Sequence, residues 1–203
     1  MDALSILALS LQCATTAPAP VVAALAMAKT QGAVYHVAVN DDRSDHPALD
    51  IAVQSVALAM VYDSKARIGL ASVPVDAFTD RSYTDGFSPC INLSVAADEL
   101  QARHADFGGG DDHWRLAALD FATGEPGVNG KFAARYDEAL AEVQALVGVF
   151  DISNASTASS RLEEAREPMP ASPKSAAEPA EESGSQWDVY GRDQSRSLLV
   201  FSR

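Results

Sequence analysis

Residues 21–32 read VVAALAMAKTQG, an apolar, alanine-rich run that ends in a glycine and carries a single charge, Lys29. The run has the composition of the middle of an apolar helix, and Gly32 stands where a helix stop belongs. Taken by itself, Lys29 is a solvated charge near a helix C-terminus, where a cation suits the helix dipole.

Working outward, residues 3–13 repeat apolar side chains with little polar interruption, and Thr15, Thr16 and the APAP run separate them from the second apolar stretch. This pattern predicts helix, proline-rich turn, helix. VYHVAVN (34–40) alternates like a short extended segment and leads into the turn-like NDDRSDHP (40–47). ALDIAVQSVALAMVYDSKA (48–66) predicts a helix whose apolar face carries Leu49, Val53, Val56, Leu58 and Met60, and the glycine- and proline-marked IGLASVPVDAF (68–78) predicts a loop. SPCINLSVAADELQARHADF (88–107) opens with a proline at a helix entrance and runs into GGGDD (108–112), a segment that is either flexible or tightly turned. HWRLAALDFA (113–122) is a further helix stopped by TGEPGVNG, and KFAARYDEALAEVQALVGVF (131–150) is the longest clean amphipathic helix.

The chain therefore reads as a mainly α domain over residues 1–150 with an extension. Residues 151–185 are dominated by Ser, Ala, Pro and Glu and hold too few large apolar side chains to offset their ordering entropy, which predicts a disordered linker. Residues 186–203, with Trp187, Tyr190 and Phe201, read as an aromatic docking segment.

Composition narrows the function classes. A net charge of −13 on 203 residues argues against DNA, RNA or anionic lipid as partners, because polyanions need clustered Lys and Arg. The opening MDALSILALSLQCA lacks the positive n-region that a secretory leader requires, with no Lys or Arg before Lys29, and its apolar run is too short to span a bilayer, so neither a leader nor a membrane span is expected from it. His36, His46, His104 and His113 build no nucleophile triad, and no HExxH or spaced Cys/His set predicts a metal or other cofactor. DDRSDH (41–46) lacks the glycine and closing glutamate of a calcium loop and reads as solvated. The two cysteines, Cys13 and Cys90, form no CxxC, and the residues alone leave one disulfide and two buried thiols equally open.

One ordered series of segments carries more. QCATTAPAPVVAALAMAKTQGAVYHVAVN, IGLASV, FSPCINLSVAADEL, AALDFATGEPGVNGKFAARY and the terminal WDVYG resemble, in sequence and order, the lytic transglycosylases of type IV secretion systems. The resemblance implies a lysozyme-like, soluble-lytic-transglycosylase type of helical fold. It implies a substrate, the peptidoglycan glycan strand, cleaved between N-acetylmuramic acid and N-acetylglucosamine with formation of a 1,6-anhydro product. It further implies a periplasmic setting, contacts with secretion-system proteins through the Trp187–Tyr190 tail, and a bridge between Cys13 and Cys90.

In that family a glutamate near the end of the second helix serves as general acid and base, its pKa raised by an apolar wall. Aligned on Gly32, Tyr35, Val39 and Asn40, this position is Lys29. The family's glycine-leucine-methionine-glutamine segment falls on Gly69, Leu70, Ala71 and Ser72, and its tyrosine-asparagine-threonine-glycine motif on Phe121, Ala122, Thr123 and Gly124. The turn-forming glycines are kept, while the groups that would touch sugar or protons are replaced. A lysine of ordinary pKa cannot take up a proton near neutrality, and its charge would oppose the oxocarbenium-like transition state. The expectation is thus a glycan-groove domain that does not cleave. Two other readings stand beside it: an active transglycosylase using a displaced carboxylate, with Asp120 and Glu125 as the nearest substitutes, and a lysozyme-fold adaptor or inhibitor without glycan contact.

Overall fold

The computed structural model describes residues 1–164 except Asp41, Asp63, Val128 and Asn129, and only the backbone of residues 149–164. Six α-helices account for most of it: α1 (Ala3–Cys13), α2 (Ala19–Thr30), α3 (Leu49–Val61), α4 (Pro89–Asp106), α5 (His113–Thr123) and α6 (Lys131–Glu164). A small antiparallel sheet, in the order β2-β1-β3-β4, is formed by β1 (His36–Val39), β2 (Asp42–Asp45), β3 (Ala66–Ile68) and β4 (Val73–Pro74). The mainly helical class agrees with the composition.

A helix with apolar side chains on every side is satisfied only by packing on every side. α2 is enclosed accordingly: Val21 to Ala26, Ala28, Lys29 and Thr30 are all buried. α6 supplies its largest contact, with α1 and α5 on other faces. The alanines let neighbouring backbones approach closely, while Val22 and Leu25, both fully buried, fill the space between them. The surrounding helices each offer one stripe to this centre: Ile6 and Leu7 from α1, Leu93, Ala96, Ala97 and Leu100 from α4, and Phe132, Tyr136 and Val143 from α6.

Local chemistry sets the helix ends. Asp2 caps α1, its carboxylate accepting from the Ser5 amide at 2.8 Å, and this hydrogen bond holds the Asp2 pKa below its usual value. Pro89 opens α4 at a position where a missing N–H costs nothing. Gly124 closes α5 in the left-handed conformation, φ 75°. GGGDD is a tight turn: His104 and Trp114 stack at 3.7 Å across it, and the His104 ring donates from Nε2 to the Gly110 carbonyl at 2.9 Å.

Three expectations are corrected. Residues 42–45, expected within a turn, form strand β2, paired with β1 from His36↔Asp45 to Val39↔Asp42. Asn40, with φ 55°, keeps the turn conformation, and the strand escapes notice because all four of its side chains are exposed and polar. Ala66, expected to end the preceding helix, and Ile68, Val73 and Pro74, expected in a loop, fall in the strands 66–68 and 73–74, which are created by pairing with β1 and with each other and are too short to show an alternation of their own. α3 stops at Val61, and its buried face is Ala52, Val56 and Ala59; Leu49, Leu58 and Met60 are 44%, 59% and 50% exposed. Small residues face the sheet there because the helix lies close to it, which hydrophobicity alone does not show.

α6 continues to Glu164, past the boundary expected near residue 150. Residues 165–203, including the remainder of the linker and the Trp187–Tyr190 segment, lie outside the described residues.

Two features lock the halves of the chain together. Cys13, the last residue of α1, is disulfide-bonded to Cys90 in the first turn of α4, 77 residues on. The fully buried Asn92 accepts from the Ala71 amide at 2.7 Å and donates to the carbonyls of Ile68 at 2.9 Å and Gly86 at 2.8 Å. It thereby pins the turn after β3 to α4. Gly69 sits in that turn at φ 73°, where any Cβ would overlap the Gly86 carbonyl and the Asn92 amide.

A Cys13→Ala/Cys90→Ala double variant is expected to lose roughly 2–4 kcal/mol and to melt about 10 °C lower by calorimetry. Asn92→Ala strands three backbone groups in the interior and is expected to cost about 3 kcal/mol in a urea titration. A change below about 0.5 kcal/mol would show that this side chain does not hold the turn.

Candidate functional site

Between the sheet, the C-terminal ends of α2 and α5, and the side of α4 lies an open cleft of about 1230 Å³. The chain reaches it at several far-separated points: Lys29 from α2, Asn40 beside β1, Arg43 from β2, Arg67 from β3, Ser72, Glu99 and Arg103 from α4, and Ala122, Thr123 and Gly124 at the end of α5. Lys29, Ser72, Ala122, Thr123 and Gly124, picked out from sequence, are thus brought to one surface. Phe121, Gly69 and Leu70 are buried rather than lining it.

Lys29 is not the solvated charge that its place near a helix end predicts. It is only 9% exposed. Its ammonium donates to the Ala122 carbonyl at 2.6 Å and lies 5.3 Å from the centre of the Phe132 ring. Burial, reinforced by the positive charges of Arg67, Arg43 and Arg135, brings its pKa down to about 7. The expectation of an ordinary lysine pKa is therefore corrected: near neutrality this amine exists in both protonation states.

Arg67 is half-buried beside it. Nε donates to the Ser72 carbonyl at 2.8 Å and one terminal nitrogen to the Phe121 carbonyl, also at 2.8 Å. Its guanidinium lies 4.7 Å from the centre of the Phe121 ring, and burial together with Arg103 lowers its pKa to about 10, so it stays charged at neutral pH. Lys29 and Arg67 thus occupy two successive carbonyls at the end of α5, where the helix dipole concentrates negative potential. Thr123 completes that end, its hydroxyl donating to Leu119 O at 2.7 Å. The loop opposite is tied to α2 by Thr30, whose hydroxyl donates to the Leu70 carbonyl at 2.8 Å.

Ser72 is buried with a left-handed backbone, φ 53°, and is held through its main chain, its amide donating to the Gly69 carbonyl at 2.9 Å and its carbonyl accepting from Arg67. Asp120 pairs with Arg103 at 3.2 Å. Glu125 is exposed, its backbone bonded to the Thr123 hydroxyl. Neither is among the described residues that line the cleft. The carboxylates that do line it are Asp76, which is exposed, and Glu99, which is bound to Arg103 at 2.6 Å. Sequence reasoning missed Arg67, Arg103 and Glu99. The only signal was Arg67 two residues before Gly69, since α4 carries its charges at helical spacing like any solvated face.

Among the described residues no helix is long and apolar enough to cross a membrane. Compared with models of protein families, with curated proteins and with solved structures, the chain has no significant match.

The lysine leaves a measurable trace in stability. An unfolded chain with an ordinary lysine, pKa about 10.4, binds more protons than the folded one wherever the pH lies between that value and the folded pKa of about 7. Folded stability contributed by this group therefore rises with pH across that window, and the destabilisation is fully present below pH 7. The advantage of Lys29→Met over the wild type is expected to shrink by about 2 kcal/mol between pH 7 and about pH 9 in parallel urea titrations. A pH-independent difference between the two proteins would mean that Lys29 titrates normally.

Proposed function

We propose that this chain is a lytic-transglycosylase-like domain of the lysozyme type that holds a peptidoglycan strand without cutting it, as a component of a type IV secretion or conjugation system. The observation that carries the reading is Lys29: the position at which the resemblance calls for the catalytic glutamate opens on the cleft, and the amine there is committed to the Ala122 carbonyl.

The chemistry follows from that exchange. A lysine with a pKa near 7 can give and take a proton, but its charged form repels the positive charge that develops on the sugar ring, and its neutral form offers no compensating anion. A carboxyl group acting as general acid needs an apolar wall to keep its proton. Glu99 instead faces an arginine at 2.6 Å, and Asp76 faces water. Phe121 has no hydroxyl and Ala122 no amide to support a second mechanism, and both contribute backbone carbonyls to cations instead. The Cys13–Cys90 bridge suits an oxidising compartment and so supports a periplasmic setting. The Trp187–Tyr190 tail is the segment through which secretion-system partners would be met.

Purified protein incubated with sacculi is expected to co-sediment with them and to release no 1,6-anhydro-muropeptides. Release of such products, abolished by Glu99→Gln, Asp120→Ala or Glu125→Ala, would establish an active enzyme with a displaced carboxylate. Protein that stays wholly in the supernatant would favour an adaptor without glycan contact. Lys29→Glu alone is expected to restore no lysis, because the groups missing at Phe121 and Ala122 remain missing.

A further inference from the structure

The charge of the cleft is opposite to that of the chain. Lys29, Arg43, Lys65, Arg67 and Arg103 line it against two carboxylates, Asp76 and Glu99, on a protein of net charge −13. Arg103 is neutralised locally by Glu99 and Asp120, at 2.6 and 3.2 Å. Lys29 and Arg67 are different: the ion pairs found among the described residues include neither of them. Their partners are carbonyls, one for the ammonium and two for the guanidinium, which leaves N–H groups of both without a partner among the described residues.

A buried ammonium and a half-buried guanidinium side by side, with no close ion-pair partner among the described residues and only the longer-range attraction of Asp76 and Glu99 for the guanidinium, are costly. The carbonyls of α5 offset part of that cost, but a dipole end is equivalent to only about half a charge. An anion seated between the two cations would remove the rest, and the open cleft provides its way in.

We propose that the cleft is an anion-binding site in which Lys29 and Arg67 hold one phosphate-like or carboxylate group, with the exposed Arg43 and Lys65 drawing it in from the rim. The guanidinium supplies planar, paired donors and the ammonium a point charge, a combination that serves either oxyanion. In a chain repelling anions over most of its surface, a low-dielectric cleft with this local excess focuses the favourable potential on one place. The site stands on the placement of charges and is independent of the glycan reading.

Binding there is coupled to a proton. The charged groups acting on Lys29 are Arg67 from β3, Arg43 from β2 and Arg135 from α6, all cationic, and the buried His36 of β1 lies within their field. Burial holds the His36 pKa below its ordinary value despite Asp45 and so favours its neutral form. An anion favours the charged form of Lys29, so affinity is full below pH 7 and falls as pH rises and the free amine loses its proton.

Calorimetric titration of the full chain at low ionic strength, with sodium sulfate in one arm and sodium malonate in the other, tests this. Saturable binding of sulfate assigns a phosphate-like ligand, and of malonate a carboxylate; either supports the site. Affinity is expected to fall about twentyfold from about pH 6.5 to about pH 8.5, with proton uptake visible as a buffer-dependent heat. Lys29→Met is expected to weaken binding more than about tenfold and to flatten the pH dependence. Arg43→Gln, on an exposed strand where the fold is not at risk, is expected to weaken it about threefold, and Lys131→Met, outside the cleft, to leave it unchanged. Absence of saturable binding of both anions by the wild type, or binding that persists unchanged in Lys29→Met and Arg43→Gln, would overturn the proposal. Failure of the protein to co-sediment with sacculi would count against the glycan reading alone.

Discussion

Helix α2 has no face to spare for water, and most of the architecture is a consequence. Because its residues from Val21 onward are apolar or small on every side, other helices must close around it, and α6, α1 and α5 do. The same enclosure reaches Lys29 near the C-terminal end. A side chain that would otherwise extend into solvent is turned against the end of α5, where carbonyls without helical partners accept it. One constraint thus accounts for both the core and the unusual chemistry at its edge.

The cleft grows from the same arrangement. α2 and α5 end side by side, the turn after β3 is pinned beneath them by Asn92 and Thr30, and α4 supplies the far wall. The disulfide fixes α4 to α1 and so keeps that wall in register with α2. What faces the opening is then decided by side chains of very different sequence position, which is why its positive character is hidden within a chain that is strongly acidic overall. The acidic residues sit mainly on solvated helix faces and loops, where water and salt screen them. The cations in the cleft are partly removed from that screening.

The depressed pKa of Lys29 is the meeting point of fold and function. Burial and the neighbouring cations keep the Lys29 ammonium poised to exchange a proton near neutrality. Its bond to the Ala122 carbonyl ties the end of α2 to the end of α5.

What the sequence by itself determined is the set of elements with strong local signals: four of the six helices nearly in place, the proline-opened α4, the glycine stops, and the pair of cysteines available for bridging. These depend on periodicity and on residues with fixed backbone preferences, which act within a few positions along the chain. Only the tertiary structure decided the sheet, the true buried face of α3, the burial of Lys29 and the gathering of Arg43, Arg67 and Arg103 around one opening. Strands of two to four residues exist through their partners rather than their composition. A lysine at a helix end looks identical in sequence whether water or another helix lies beyond it, and desolvation, which sets its chemistry, is a property of what packs around it.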